Sequence, residues 1–165
     1  MTRSALAVLL VIAATVLTGC SAALPAAPAT IAAAPASDTT CIGGMGFMNA
    51  YSAIASRYDP KLEADRQQLA STQSLATARS RLTDIAGVLD AYDAQLRPLN
   101  PPADFSDGFS GLLSADQRLR DGALALAASP FGAADQAAFQ KVAADRQAAL
   151  HDLLLEVAFV TSECA

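Results

Sequence analysis

Residues 75–99 read LATARSRLTDIAGVLDAYDAQLRPL, and their apolar side chains recur every three or four positions. The repeat runs through Leu75, Ala78, Leu82, Ile85, Leu89, Tyr92, Leu96 and Leu99. This spacing places a continuous apolar stripe on one face of a helix. The stretch therefore predicts an amphipathic helix that packs this face against partner helices.

The second half of the chain carries two further stripes of the same kind. One runs through Phe105, Phe109, Leu112, Leu119, Ala123 and Leu126. The other runs through Phe139, Val142, Ala149, Leu153, Val157, Val160 and Cys164. No stretch shows the sustained alternation of β-branched residues that indicates a half-buried strand. The sequence predicts an all-α fold.

Helix boundaries are predicted where proline interrupts these stripes. Pro98 and the Asn-Pro-Pro run at residues 100–102 cannot continue a helix, and Ser-Pro-Phe-Gly at residues 129–132 makes a second break. Asp104 and Asp107 supply carboxylates for the free amides of the helix that follows the first break.

The first helical region is less regular, because Asp59-Pro60 interrupts it. We expect a helix over residues 44–70 that is bent or broken near Asp59-Pro60, followed by a polar turn at residues 71–74. Four helices joined by short turns predict an antiparallel up-down-up-down four-helix bundle. In that topology the first helix begins at the end of the bundle where the fourth helix finishes.

The N-terminus carries the pattern at which a bacterial lipoprotein signal is cut. Arg3 gives a short positive region, residues 5–16 are uncharged and apolar, and Leu17-Thr18-Gly19-Cys20 completes the cleavage site. This run of 12 residues is shorter than the roughly 20 that a transmembrane helix needs. We expect residues 1–19 to be removed and Cys20 to carry lipid, which anchors the protein at the extracytoplasmic face of the cell membrane.

Residues 20–40 are rich in Ala and Pro and show no apolar periodicity. They predict a tether, because Pro25, Pro28 and Pro35 oppose the alternative of a helix continuing from the signal. Residues 41–165 then form one bundle domain.

Two cysteines, Cys41 and Cys164, stand at the predicted start of the first helix and end of the fourth. The predicted topology brings these positions to one end of the bundle. In a secreted protein whose third cysteine carries lipid, the remaining two are expected to form a disulfide. The alternative is two free thiols.

These features resemble the small lipoproteins of mycobacteria and related high-GC actinobacteria. The resemblance is carried by Leu17-Thr18-Gly19-Cys20, the Ala/Pro tether, nine Arg against two Lys, and the two remaining cysteines. That group has no common activity. The resemblance therefore implies a cell-envelope location and transfers no catalytic residue.

The charge of the chain excludes one class of partner. With 11 basic and 16 acidic residues, the formal net charge is −5. Nucleic-acid binding needs clustered Lys and Arg, so no nucleic-acid partner is expected. The chain also lacks a polybasic segment that would attract anionic lipids. The membrane is expected to be a partner only through lipid on Cys20.

Residues suited to catalysis or metal binding are scarce. His151 is the one histidine, and neither a Glu-x-x-His pair nor a Gly-x-Ser-x-Gly motif occurs. Met45 or Met48 with His151 could suggest haem ligation, but these residues lie at different heights along the predicted bundle. The sequence therefore predicts no enzyme activity, no catalytic or metal site and no cofactor.

Two charged residues interrupt the apolar stripes, Asp116 on the second and Arg146 on the third. Three alternatives are open for them. They could face each other in a polar layer that sets the helix register, or Arg146 could bind the carboxylate of a ligand. Alternatively, both side chains extend to water from the stripe edge.

Residues 43–48, Gly-Gly-Met-Gly-Phe-Met, combine backbone freedom with soft apolar side chains. The predicted topology places the loop at residues 98–105 beside them, at the membrane-near end. One interpretation is a contact surface, and the alternative is a plug that closes the bundle. The residues concerned are Met45, Phe47, Met48 and Phe105.

Two functions fit these features. The first is a non-enzymatic envelope lipoprotein whose bundle presents a surface to an envelope protein or the cell wall. The alternative is a module that holds a small molecule or lipid between its helices. A dry cavity of several hundred Å³ would favour the binder. A filled core with an exposed apolar patch would favour the interaction protein.

Overall fold

The computed structural model describes the backbone of residues 39–163 and the side chains of residues 43–159. Every regular element in that part of the chain is helical, which confirms the predicted all-α fold. The helices are α1 (Thr39–Ser71), α2 (Leu75–Leu96), α3 (Ser106–Ala128) and α4 (Ala133–Glu163), with a 3₁₀ turn at Ala103–Phe105.

Several predicted features lie outside the described residues. These are the signal peptide, Cys20, the tether up to residue 38, the side chain of Cys41 and the whole of Cys164. α1 begins at Thr39, inside the predicted tether and ahead of the predicted domain boundary. None of the described helices combines the length and the apolar character that a membrane span requires.

α1 runs through Pro60 as one uninterrupted helix. Proline has no amide proton, so the carbonyl of Ser56 loses its helical donor. Ser56 and Pro60 are both exposed, and water can bond this carbonyl in place of the missing amide. A break at Asp59-Pro60 is therefore wrong, and residues 44–70 belong to one helix.

The ends of α2 follow local signals in the sequence. Ser74 caps its start, because the Ser74 hydroxyl oxygen accepts a hydrogen bond from the amide of Thr77 at 3.3 Å. At the other end, the amide of Leu99 bonds the carbonyl of Leu96 at 2.8 Å. Leu99 thus lies beyond the helix but still packs on the core.

The start of α3 is stabilised by a contact that the sequence did not reveal. Its N-cap residue, Phe105, makes no capping hydrogen bond through its side chain. Instead the amide of Gly108 donates to Glu156 Oε2 of α4 at 3.2 Å. A carboxylate from another helix, rather than Asp104 or Asp107, therefore satisfies this first-turn amide.

The turn between α3 and α4 forms at the predicted second break. Phe131 adopts a φ of 63°, which is uncommon for a residue with a Cβ atom. The hydroxyl of Ser129 accepts a hydrogen bond from the Phe131 amide at 3.0 Å, and Gln136 Nε2 donates to the Phe131 carbonyl at 2.9 Å. These bonds hold the turn so that the Phe131 ring packs on the core.

Most of the buried apolar side chains of the described residues form two clusters. The aromatic cluster consists of Phe47, Tyr51, Ala55, Tyr92, Leu96, Phe105, Phe109, Leu112, Leu153 and Val157. The aliphatic cluster consists of Leu82, Ile85, Ala86, Leu89, Leu119, Ala123 and Leu126. Leu62 of α1 packs against both clusters. The apolar stripes predicted from the sequence supply most of these residues.

Candidate functional site

The predicted contact segment at residues 43–48 does lie beside the loop that precedes α3. A Cβ atom added to Gly44 would lie 3.0 Å from Cε2 of Phe105, and one added to Gly43 would lie 3.6 Å from Cγ of Pro102. The two segments are therefore neighbours, as the sequence predicted. Gly44 is needed for this close approach, because a side chain there would press on the Phe105 ring.

Phe47 and Phe105 are both buried in the aromatic cluster. Their rings stack with centroids 6.1 Å apart, and Phe47 meets Phe109 edge to face at 5.2 Å. Aromatic pairs in these geometries stabilise beyond the area that they bury. Both rings close the end of the bundle, so a contact surface at this end does not include them.

The methionines of this segment differ in environment. Met48 is half-buried and packs on the aromatic cluster, whereas the side chain of Met45 is 56% exposed. Leu154 and Leu155, in the later turns of α4, are also exposed, Leu155 by 54%. Their neighbour Leu153 belongs to the aromatic cluster, which places these turns at the same end of the bundle as Met45.

A set of polar side chains is buried next to these apolar clusters. We call it the polar layer, and its members are Tyr51 of α1, Tyr92 and Asp93 of α2, Asp116 of α3 and Arg146 of α4. Along α3, Asp116 stands between Leu112 of the aromatic cluster and Leu119 of the aliphatic cluster. Every helix of the described chain therefore contributes to the layer.

The centre of the polar layer is an ion pair between α3 and α4. Arg146 Nε donates to Asp116 Oδ1. The side chain of Asp116 is 0% exposed and that of Arg146 is 12% exposed. Of the three alternatives for these residues, the facing pair in a polar layer is confirmed, and extension of both side chains to water is wrong.

The two tyrosines connect this ion pair to α1 and α2. The guanidinium carbon of Arg146 lies 6.0 Å from the centroid of the Tyr92 ring, within the range of a cation–π contact. The hydroxyl of Tyr92 donates to the hydroxyl of Tyr51 at 3.4 Å. Tyr58 of α1 stacks on Tyr92 with ring centroids 5.4 Å apart.

Asp93 is a buried member of the layer that the sequence analysis missed. Its Oδ2 accepts a hydrogen bond from Arg97 Nη2 at 3.5 Å, and its side chain is within hydrogen-bonding reach of Asp116. A signal was available, because Asp93 continues a second repeat of four and three positions on α2. That repeat is Leu82, Ala86, Leu89, Asp93 and Leu96.

Burial and charge act against each other in this layer. Burial raises the pKa of Asp116 to about 6, although the nearby Arg146 guanidinium acts in the opposite direction. Burial likewise raises the pKa of Asp93 against the influence of Arg97. For Arg146, burial is the largest single influence and opposes the charged form, but the attraction and hydrogen bond of Asp116, with smaller contributions from Tyr92 and Asp59, together raise the pKa. Arg146 is therefore a permanent cation in the interior.

A shallow groove opens between α3 and α4 beside the aliphatic cluster, with a volume of about 170 Å³. It is lined by Gly122, Ala125, Leu126, Asp135, Ala138, Phe139 and Val142. Pockets that bury a drug-sized ligand measure roughly 300 to 1,000 Å³. The groove is therefore small for such a ligand.

Comparison with known proteins gives no relative from which a role could be transferred. No protein-family model, no curated protein and no solved structure matches this chain. Within the described residues, no group of three or more His, Cys, Asp and Glu side chains is arranged to hold a metal ion.

Replacing Arg146 with Met should destabilise the bundle by about 3 kcal/mol, because Asp116 would lose its buried cation. This is the low end of the cost of breaking a buried pair, since Asp116 can relieve its charge by taking up a proton. The free energy of unfolding from urea denaturation at pH 7 measures the effect. Replacing both residues, as Arg146→Met with Asp116→Leu, should restore most of the stability.

Lys141→Met is the matched control on the same helix. Lys141 forms an exposed ion pair with Asp145 at 2.8 Å, and such pairs contribute little to stability. We expect the control to unfold at nearly the same urea concentration as the wild type. If the Arg146 and Lys141 variants lost the same free energy of unfolding, a stabilising role for the buried pair would be contradicted.

Proposed function

We propose that this chain is a lipid-anchored, non-enzymatic protein of the bacterial cell envelope. The observation that carries the proposal is the ordered signal of Arg3, an apolar run and Leu17-Thr18-Gly19-Cys20. Lipid on Cys20 would hold the bundle at the extracytoplasmic face of the membrane. The resemblance to small actinobacterial lipoproteins supports the same location.

In this proposal the four helices run up, down, up and down. Contacts between helix ends support that topology. Arg81 near the start of α2 pairs with Asp65 near the end of α1 at 3.1 Å. Arg79, also near the start of α2, donates to the carbonyl of Ser129 after α3 at 3.0 Å. The bond from Gly108 to Glu156, described above, joins the start of α3 to the later turns of α4.

We further propose that a disulfide between Cys41 and Cys164 closes this bundle. Support comes from the aromatic cluster, which contains both Phe47 near the start of α1 and Val157 in the later turns of α4. The start of α1 and the end of α4 would then lie together. On the chain-entropy model, a bridge that closes such a long loop stabilises by about 4 to 5 kcal/mol.

The working surface in this proposal is the membrane-near end of the bundle, which would contact an envelope protein or the cell wall. Met45, Leu154 and Leu155 are exposed apolar side chains at this end and support that assignment. The alternative is a module that holds a small molecule or lipid between the helices. It has less support, because the groove between α3 and α4 is small.

The lipid anchor is tested by growing cells with an alkyne-tagged fatty acid and detecting the label on the protein. We expect the wild-type chain to be labelled and found in the membrane fraction, and Cys20→Ser to lose the label because it has no lipid acceptor. Cys41→Ser is the matched control and should keep it. Label retained by Cys20→Ser would contradict the proposal, as would membrane retention after its signal has been removed.

The disulfide is tested by a non-reducing peptide map of protein from the oxidising compartment, where a peptide containing Cys41 should be linked to one containing Cys164. The double variant Cys41→Ser with Cys164→Ser should melt lower by about 10 °C or more. Its helicity, measured by circular dichroism, should remain, since the helices have their own core. Two free thiols, or an unchanged melting temperature, would show that no bridge closes the bundle.

The contact surface is tested with a photo-crosslinking amino acid placed in intact cells at Leu155. Leu124 is the control, because it is an exposed leucine near the end of α3, away from Met45. We expect a crosslinked product of defined mass from position 155 and none from position 124. Products at both positions, or at neither, would count against the surface. A small molecule retained in native mass spectrometry would favour the alternative function.

A further inference from the structure

Among the side chains that the structure describes, two buried carboxylate oxygens have no hydrogen-bond partner, Asp93 Oδ1 and Asp116 Oδ2. The other oxygen of each carboxyl group faces an arginine, Arg97 for Asp93 and Arg146 for Asp116. A buried oxygen without a donor is costly. An ionised carboxylate only accepts hydrogen bonds, so two ionised neighbours cannot satisfy each other.

The charges of the layer are also unequal. Arg146 is the buried cation, whereas Asp93 and Asp116 are both buried acids. Arg97, the partner of Asp93, is 61% exposed and its charge is largely screened by water. Ionising both acids would leave the interior with one excess negative charge. One proton added to the pair makes the layer neutral.

Charged and titratable groups on three helices surround the polar layer. They are Tyr51 and Asp59 of α1, Tyr92, Asp90 and Arg97 of α2, and Arg146 of α4. Burial raises the pKa of both tyrosines, so they are neutral at physiological pH. Asp90 adds negative charge beside Asp93 and favours its protonated form, whereas Asp59 acts on the two tyrosines and on Arg146.

We propose that Asp93 and Asp116 share one proton between Asp93 Oδ1 and Asp116 Oδ2, which makes the polar layer a pH-sensitive contact between α2 and α3. The O–H of one carboxyl group donates to the carboxylate of the other. A single proton thus gives both unpartnered oxygens a hydrogen bond. Loss of this proton leaves two like charges in contact.

The direction of the pH effect follows from burial, which raises the pKa of Asp116 from 3.8 to about 6 in the folded chain. The folded state therefore holds the proton more tightly than the unfolded state. The stability from this contact is complete below about pH 4 and is lost as the pH rises through about 6. Mild acid should therefore raise the free energy of unfolding. A surface carboxylate in a salt bridge has the opposite effect, because its protonation in acid removes the ion pair and lowers that free energy.

The direct test is a carboxyl ¹³C NMR titration of the full chain, labelled at aspartate and dissolved in detergent micelles. The carboxyl carbons of Asp93 and Asp116 should both shift in the step in which the shared proton leaves, which the raised pKa of Asp116 places near pH 6, because the pKa values of coupled groups belong to the pair. If the two carboxyl groups titrated independently of each other, each at the usual pKa of an aspartate, the proposal would be overturned. This measurement needs no variant and does not depend on how a substitution affects folding.

Asp93→Asn supplies the second test. An asparagine amide can donate to Asp116 Oδ2 without a titratable proton. The folding equilibrium constant of the wild type should rise on the order of 100-fold between pH 7 and pH 4, and that of the variant should rise by a clearly smaller factor, because the amide donor favours the ionised form of Asp116.

Asp152→Asn is the matched control, since Asp152 is an exposed carboxyl group on α4. It should keep the pH dependence of the wild type. If the folding equilibrium constant had the same pH dependence in Asp93→Asn and in the wild type, the shared proton would be overturned. This outcome does not depend on whether the proposals of a lipid anchor and a contact surface hold.

Discussion

The ion pair between Arg146 and Asp116 constrains the arrangement of the helices around it. Apolar side chains tolerate small shifts of one helix along another, because one methyl contact replaces another at little cost. A buried guanidinium and a buried carboxylate do not, since a shift would leave two charges unpaired in the interior. The pair therefore sets the register of α3 against α4. Tyr92 extends this constraint to α2 through its contact with the guanidinium.

The packing on either side of this layer differs in kind. At one end, Phe47, Phe105 and Phe109 fill the core with large rings. At the other, the buried residues are Leu, Ile and Ala, and α4 contributes only half-buried side chains. A filled aromatic end with exposed Met45 and Leu155 outside it suits contact with another molecule better than enclosure of one. This difference is the main structural reason for preferring an interaction protein over a ligand-binding module.

The lipid anchor and the bundle are independent parts of the proposal. The anchor rests on the residues that surround Cys20, which lie outside the described structure. The bundle rests on the contacts of α1 to α4. A tether of the predicted length would let the bundle act near the membrane surface without any basic patch of its own. The acidic composition of the chain fits this division, because the lipid rather than the protein surface would make the membrane contact.

The sequence by itself determined the helical class, the three long stripes and the positions of the turns at residues 97–102 and 129–132. These depend on local spacing and on proline, whose effects act within a few residues. It also placed Asp116 and Arg146 on stripes, but it left their orientation open between core and water. Only packing decides whether a charge at a stripe edge finds a partner.

The tertiary structure decided what no local pattern could. Glu156 bonds the amide of Gly108 because α4 passes beside the start of α3. Pro60 is accommodated because its face of α1 is exposed. Asp93 is buried where α2 packs beside Asp116 of α3, and Phe47 lies in the core because Phe105 and Phe109 pack against it. In each case the deciding neighbour is distant in the sequence, and its effect arises only when the helices are packed together.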